Sequence, residues 1–182
     1  NNGNQYHILI NNTGGPKGGP ISSANLNAFV NAFNHHLICN HILFQALHSG
    51  MKNYNYGRII NVISTSVKQP IPGLGVSNTI RGAVASWSKT LSFEIAKDGI
   101  TVNNILPGFT DTERLSLLID AKSNSGNISV DAVAEAMRKT VPSNRFGKPE
   151  ETAKAISFLA SPSASYINGV SLAVDGGRLT SL

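Results

Sequence analysis

GRIINVISTSVKQPIPGLG, residues 57–75, sets the fold. From Arg58 to Ile63 apolar residues occupy consecutive rather than alternate positions, the pattern of a strand covered on both faces. The run closes on Ser64-Thr65-Ser66, and Pro70, Pro72, Gly73 and Gly75 then impose a loop. Strands of that kind belong to parallel sheets, whose crossovers need helices before and after. Both are present in the pattern. Upstream, Leu26, Phe29, Val30, Phe33, Leu37, Phe44 and Leu47 keep a helical spacing, with Ser22 or Ser23 as N-cap and Gly50 as the stop. Downstream, Val76, Ile80, Val84, Trp87, Leu91 and Ile95 do the same until Gly99.

The alternation extends to both ends of the chain. Tyr6 to Ile10 (YHILI) reads as a buried strand ending at Asn11-Asn12-Thr13-Gly14-Gly15, and Thr101 to Leu106 as another, stopped by Pro107-Gly108. Residues 109–147 are less regular, with a polar stretch at Lys122 to Asn127 and a helical pattern around Val133 to Met137; they read as an inserted flap. Pro149 suits a first helical turn and Glu150 and Glu151 suit the positive end of the dipole, so a helix is expected over Glu150 to Ala160. Val170 to Val174 is the last strand, before Asp175-Gly176-Gly177. The expected fold is α/β: one Rossmann-like, doubly wound domain over residues 1–182, with a parallel sheet and helices on both faces. Ligands of such sheets bind beyond the C-terminal strand ends, which draws Asn11 to Gly14, Ser64 to Ser66 and Pro107 to Thr112 to one rim.

Composition removes other classes. The chain of 182 residues is 41% hydrophobic and 14% charged, enough for a core. A single cysteine, Cys39, allows no internal disulfide, no Cys/His spacing suits zinc, and a reducing, cytoplasmic setting without a metal is expected. No apolar run approaches the roughly 18 residues of a membrane span. The net charge of +5 is spread over single residues such as Lys52, Arg58, Lys68 and Lys89, which argues against a nucleic-acid surface.

The ordered motifs NNTGG (Asn11 to Gly15), GRIINVIS (Gly57 to Ser64), TVNNILPG (Thr101 to Gly108), RFGKPEE (Arg145 to Glu151) and INGVSLAVDGG (Ile167 to Gly177) resemble the short-chain dehydrogenase/reductase family, in particular its 3-oxoacyl-carrier-protein reductase type. The resemblance covers nearly the whole chain. It implies NADP or NAD as cofactor, a small carbonyl or acyl thioester substrate, and a homo-oligomer, dimer or tetramer, formed through the two long helices. The family's first strand and TGxxxGxG turn have no counterpart; the chain starts at the family's fourth strand, so an N-terminal segment is expected to be missing. The glycines of Gly14-Gly15-Pro-Lys-Gly18-Gly19 do not meet phosphate-loop spacing and read as a flexible loop.

The resemblance also assigns chemistry by position. Ser64 matches the family's serine, which donates to the developing alkoxide. Counted onward, the family's proton-donating Tyr falls on Ser77 and its Lys on Arg81, with the i, i+4 spacing kept. A serine hydroxyl is far more basic than a phenol and Arg stays protonated, so the usual relay cannot run unchanged. No tyrosine substitutes for it: only Tyr54 has a base four residues on, Arg58, and that pair reads as surface. The family's relay Asn aligns with His36, which could supply the proton directly or through water; alternatively His35, His36, His41 and His48 are ordinary helix-surface or interface residues. Asn12, Thr13 and Gly14 resemble residues lining the adenosine ribose, and Pro107, Gly108, Thr110 and Thr112 the nicotinamide-side loop, with Arg81 also reaching the nicotinamide ribose. Two functions follow: an oxidoreductase with a modified site, or a non-catalytic or weakly active homologue that binds nucleotide or partner proteins. Substrate choice would lie with flap residues such as Glu113, Arg114, Leu117 and Leu118.

Overall fold

The computed structural model describes residues 4–181. Four parallel strands, β1 (Ile8–Asn11), β2 (Gly57–Val62), β3 (Ile100–Pro107) and β4 (Ser171–Val174), pair in the order β1-β2-β3-β4. Helix α1 (Leu26–Phe33) runs through a π turn (Asn34–Ile38) into α2 (Cys39–Asn53) and returns the chain to β2. Helix α3 (Gly75–Glu94) leads to β3, while α4 (Glu113–Gly126), α5 (Val130–Lys139) and α6 (Pro149–Ala160) lie between β3 and β4.

Register explains the two faces. Leu9, Ile59 and Val102 stand side by side and pack with Phe44 and Met51 of α2 and Leu91 of α3. One residue along, Ile60 and Ile105 turn to the other face and pack with Leu159 of α6. Each side chain buried this way contributes roughly 1.5–3 kcal/mol, which is what holds helices to a sheet. The strand order advances steadily, yet α3 crosses on one face and α6 on the other. The β3–α6–β4 crossover is therefore of opposite hand to the β2–α3–β3 one, a departure from the near-universal right-handed rule.

Beneath the strand C-termini a polar rung crosses the whole sheet. Asn11, Asn61, Asn104 and Ser171 are register partners on successive strands. Asn11 donates to Asn61 Oδ1 (2.8 Å), Asn61 Nδ2 donates to Ser88 Oγ of α3 (2.8 Å) and to Asn104 Oδ1 (3.1 Å), and Asn104 Nδ2 donates to Ser171 Oγ (3.1 Å). The rung ties the C-terminal ends of β1 and β2 to the middle of β3 and the start of β4.

Several expectations are corrected. The first strand begins at Ile8 and is buried on one face only: Ile8 and Ile10 remain about half exposed because α6 packs on β2, β3 and β4 and not on β1. The N-cap of α1 is Asn25, whose side chain accepts from Asn27 N, while Ser22 and Ser23 form a preceding 3-10 turn. Gly50 does not stop α2, which continues to Asn53. The flap is two helices, α4 and α5, joined by a cluster of Leu115, Ile119, Val133 and Met137 with its own apolar neighbours Phe109 and Phe146. Its polar stretch is the solvated end of α4. Tyr54 is exposed as expected, but Arg58 is buried, stacked on Tyr56 and donating to the carbonyls of Gly57 and Gly99.

Candidate active site

The C-terminal strand ends open into a cleft of about 620 Å³, within the range of small-molecule and cofactor sites. Asn12, Thr13 and Gly14 enter it after β1, Ser64 after β2, Pro107 at the end of β3, and Gly108, Thr110 and Thr112 after it. Ser77 and Arg81 project from the first turns of α3; Arg114, Leu115 and Leu118 come from α4, and Thr152, Ala153 and Ile156 from α6. Every site residue expected from the sequence lines this cleft except His36.

Glycine is required at Gly108 by packing: a Cβ there would sit 2.6 Å from Asp175 Cα. Gly14 is the opposite case, since a Cβ there would meet nothing within 4 Å, leaving its backbone open to the cleft. Ser64 lies in extended conformation and its Oγ accepts from Ser66 N (3.1 Å). That uses a lone pair and leaves the hydroxyl proton free to be donated into the cleft. Leu118 and Arg114 of the four flap residues line the cleft, whereas Glu113 and Leu117 do not.

Arg81 is clamped in place. One terminal nitrogen donates to Val62 O (2.9 Å) and the other to Thr13 O (3.3 Å), so the guanidinium ties the loops after β1 and β2 together. It is only 8% exposed, and burial, with the charge of Arg114, lowers its pKa to about 10. It remains a cation at neutral pH. A lysine could not span both carbonyls in this planar, two-pronged way.

His36 sits behind the cleft, not in it. The π turn carries it inward to 2% exposure, where Nδ1 shares a hydrogen bond with Thr13 Oγ1. Burial first, then the charge of Arg81 and the proximity of His35, lower its pKa to about 4. The expected proton donor is thus a neutral ring at physiological pH, accepting from or donating to Thr13, and the role left to it is to position that residue. It is also not an ordinary surface histidine. Because the unfolded chain protonates this ring near 6.5, folding releases a proton between that value and about 4. Stability from this group is complete above pH 6.5 and is lost as pH falls through that window, by roughly 2–3 kcal/mol. Urea titrations at pH 7 and pH 4.5 should show this loss in the parent and a much smaller one in His36→Gln; equal losses would place the sensitivity elsewhere.

Sequence reasoning passed over two contributors. Arg178 lines the cleft with its guanidinium 4.2 Å from the Phe109 ring centre, and the inner face of α6 forms a wall. The signal for Arg178 was available, since it follows β4 and the strand-end rule applies to it as to the other rim segments. Among the described residues no cluster of His, Cys, Asp or Glu could hold a metal ion, and no helix is long and apolar enough to cross a membrane.

Comparison with known proteins bears on the fold and the family. Residues 2–178 match the family model described as enoyl-(acyl carrier protein) reductase. The chain is 31% identical over 175 residues to the NADPH-dependent reductase BacG of Bacillus subtilis (strain 168), covering 96% of this chain and 68% of that protein. It is 34% identical over 143 residues to the 3-oxoacyl-[acyl-carrier-protein] reductase FabG of Rickettsia bellii (strain RML369-C), covering 79% of this chain but only 55% of that protein. Among solved structures, YwfH, an NADPH dependent reductase involved in bacilysin biosynthesis, superposes with a TM-score of 0.92 at 29% identity, covering 98% of this chain and 68% of that one. The L-sorbose reductase of Gluconobacter frateurii complexed with NADPH and L-sorbose gives 0.90 at 30% identity with the same coverages. With its fold and nearly its whole length matched, the chain belongs to the short-chain dehydrogenase/reductase family.

Proposed function

We propose that the chain acts as an NAD(P)-dependent oxidoreductase on a carbonyl or alcohol, of the 3-oxoacyl-carrier-protein reductase kind, through a site in which Ser64, Ser77 and Arg81 stand together. The observation that carries this is their convergence with Asn12 to Gly14 and Pro107 to Thr112 on one cleft. The residues fit the cofactor: an open glycine backbone at Gly14, amide and hydroxyl groups at Asn12, Thr13, Thr110 and Thr112, and a fixed cation at Arg81 suit ribose hydroxyls and the nicotinamide side. When bound, NADP or NAD supplies or accepts the hydride. Ser64 and Arg81 donate hydrogen bonds to the substrate oxygen as negative charge grows on it. Ser77 is a hydroxyl through which water can deliver the proton, since among the described residues no His, Cys, Asp, Glu, Lys or Tyr lines the cleft.

That last feature also supports a second reading, a homologue that binds nucleotide or a partner without turnover. Fluorescence titration of the full chain with NADH and NADPH, followed by cofactor oxidation with a short 3-oxoacyl thioester, separates the two. The oxidoreductase reading expects binding and turnover, with Ser64→Ala slower by about a hundredfold, as for loss of one oxyanion donor. Binding without turnover on any carbonyl would favour the second. For assembly, a second copy of this chain is proposed to pack on the long helices, where Ile42 (58% exposed) and Phe93 (74% exposed) offer apolar surface.

A further inference from the structure

Among the described residues the cleft contains three guanidinium groups, Arg81, Arg114 and Arg178, and no carboxylate lines it. None of the three forms an ion pair among the described residues. Arg114 is tied to Pro16 O (2.8 Å) and lies with Arg81 against Gly15, so two cations face each other across one residue. Arg178 is less satisfied. Its Nε is shut off from solvent with no acceptor, and its guanidinium donates no hydrogen bond to a described residue. Asp175, whose charge favours the Arg178 cation without forming an ion pair with it, accepts from the backbone N–H groups of Gly177 and Leu179. Stacking on Phe109 holds the Arg178 plane at the rim. Bringing like charges into a partly desolvated cleft costs stability unless a ligand of opposite sign repays it.

We propose that Arg178 is a specificity-determining residue that receives a carboxylate on the substrate, with Arg114 and Arg81 adding to the attracting field. This rests on the oxidoreductase reading and puts oxo acids and their hydroxy acid counterparts in the place of the acyl thioester as substrates. A carboxylate suits the site because its two oxygens match the two-pronged guanidinium, and because one compact charge leaves room for the reacting carbonyl beside Ser64. Arg81, already clamped to two carbonyls, is better placed to serve the reacting oxygen than the distal group.

The probe is acetoacetate compared with its methyl ester, titrated calorimetrically into the full chain with NADP+ present, so that no hydride is available and binding is read without turnover. Acetoacetate should bind at least tenfold more tightly than the ester. Arg178→Met, which keeps the packing on Phe109 without the charge, should remove that preference and leave the ester unaffected, while Arg178→Lys should keep part of it. Equal binding of acid and ester by the parent, or an unchanged preference in Arg178→Met, would overturn the proposal. Inorganic pyrophosphate, titrated without cofactor, tests the other source of anionic charge. If Arg178→Met weakens pyrophosphate and leaves acetoacetate unchanged, the arginine serves the cofactor and the substrate assignment fails. Discrimination between acid and ester in this titration, with no oxidation of NADPH or NADH by acetoacetate in a separate assay, would sink the catalytic reading while leaving the anion site intact.

Discussion

The double variant Ser77→Tyr/Arg81→Lys is expected to reduce a 3-oxo substrate at least a hundredfold faster than the parent chain, the lower end of the roughly 10²- to 10⁴-fold that a positioned general acid supplies. The parent holds the substrate oxygen with fixed donors but must draw its proton from water. A phenol at position 77 would stand in the cleft, one helical turn from a cation at 81, and the neighbouring charge would pull its pKa below the ordinary value near 10. Reduction needs the protonated phenol, so the variant should lose rate as pH rises through the lowered phenol pKa, below the pH of about 10 at which the parent's Arg81 gives up its charge. Ser77→Tyr alone should gain less, about tenfold, because the guanidinium stays committed to Val62 O and Thr13 O. Stopped-flow oxidation of NADPH across pH 6–10 reads both effects. A parent already as fast as the double variant would mean that the Ser/Arg pair has its own efficient proton route. NADPH binding with no turnover in either variant would move the chain to the non-catalytic reading.

How much of this was legible in the sequence depends on what each residue reports. Strands β2 and β3 were plain because both their faces are buried, so every position carries the signal; β1 gave the same apolar run although one face is open, and composition cannot tell those cases apart. Helix α6 announced itself through Pro149, Glu150 and Glu151. Helix α4 did not, because its last turns, from Lys122 to Gly126, face water and no core forces an apolar periodicity on them. The rim was legible through the strand-end rule, which needs only the strand ends. His36 was misjudged because an alignment gives a residue's place along the chain and not its burial, and the π turn from Asn34 to Ile38 carries the ring inward against Thr13, behind the cleft. Pairwise tertiary facts, such as Arg81 bridging the loops after β1 and β2, or Asp175 pressing on Gly108, have no local signature at all.

The same holds for the polar rung, whose importance can be measured. Asn61→Leu is expected to destabilise the protein by about 3–5 kcal/mol, although Leu has the same side-chain heavy-atom count and branching and the site is fully buried, where an apolar residue would ordinarily be welcome. Asn61 uses its whole amide: Oδ1 accepts from Asn11 (2.8 Å) and, at 3.5 Å, from Asn40, while Nδ2 donates to Ser88 and Asn104. Leucine would strand the donors of Asn11 and Asn40 away from water, and each buried orphan costs about 1–3 kcal/mol. For a chain of this size the loss corresponds to a fall in Tm of roughly 10 °C. Removing Asn11 and Asn61 together, as Asn11→Leu/Asn61→Leu, should cost less than the sum of the two single changes, because a pair deleted as a unit leaves fewer orphans than either half. The damage should also reach the rim. Asn11 immediately precedes Asn12 and Thr13, so a loosened rung lets that loop drift from Arg81, and NADPH binding should weaken even at temperatures where Asn61→Leu remains folded. A change below about 1 kcal/mol with unaltered cofactor binding would instead mean that the strand ladder alone holds the cleft open, and that the rung merely occupies space a hydrocarbon could fill.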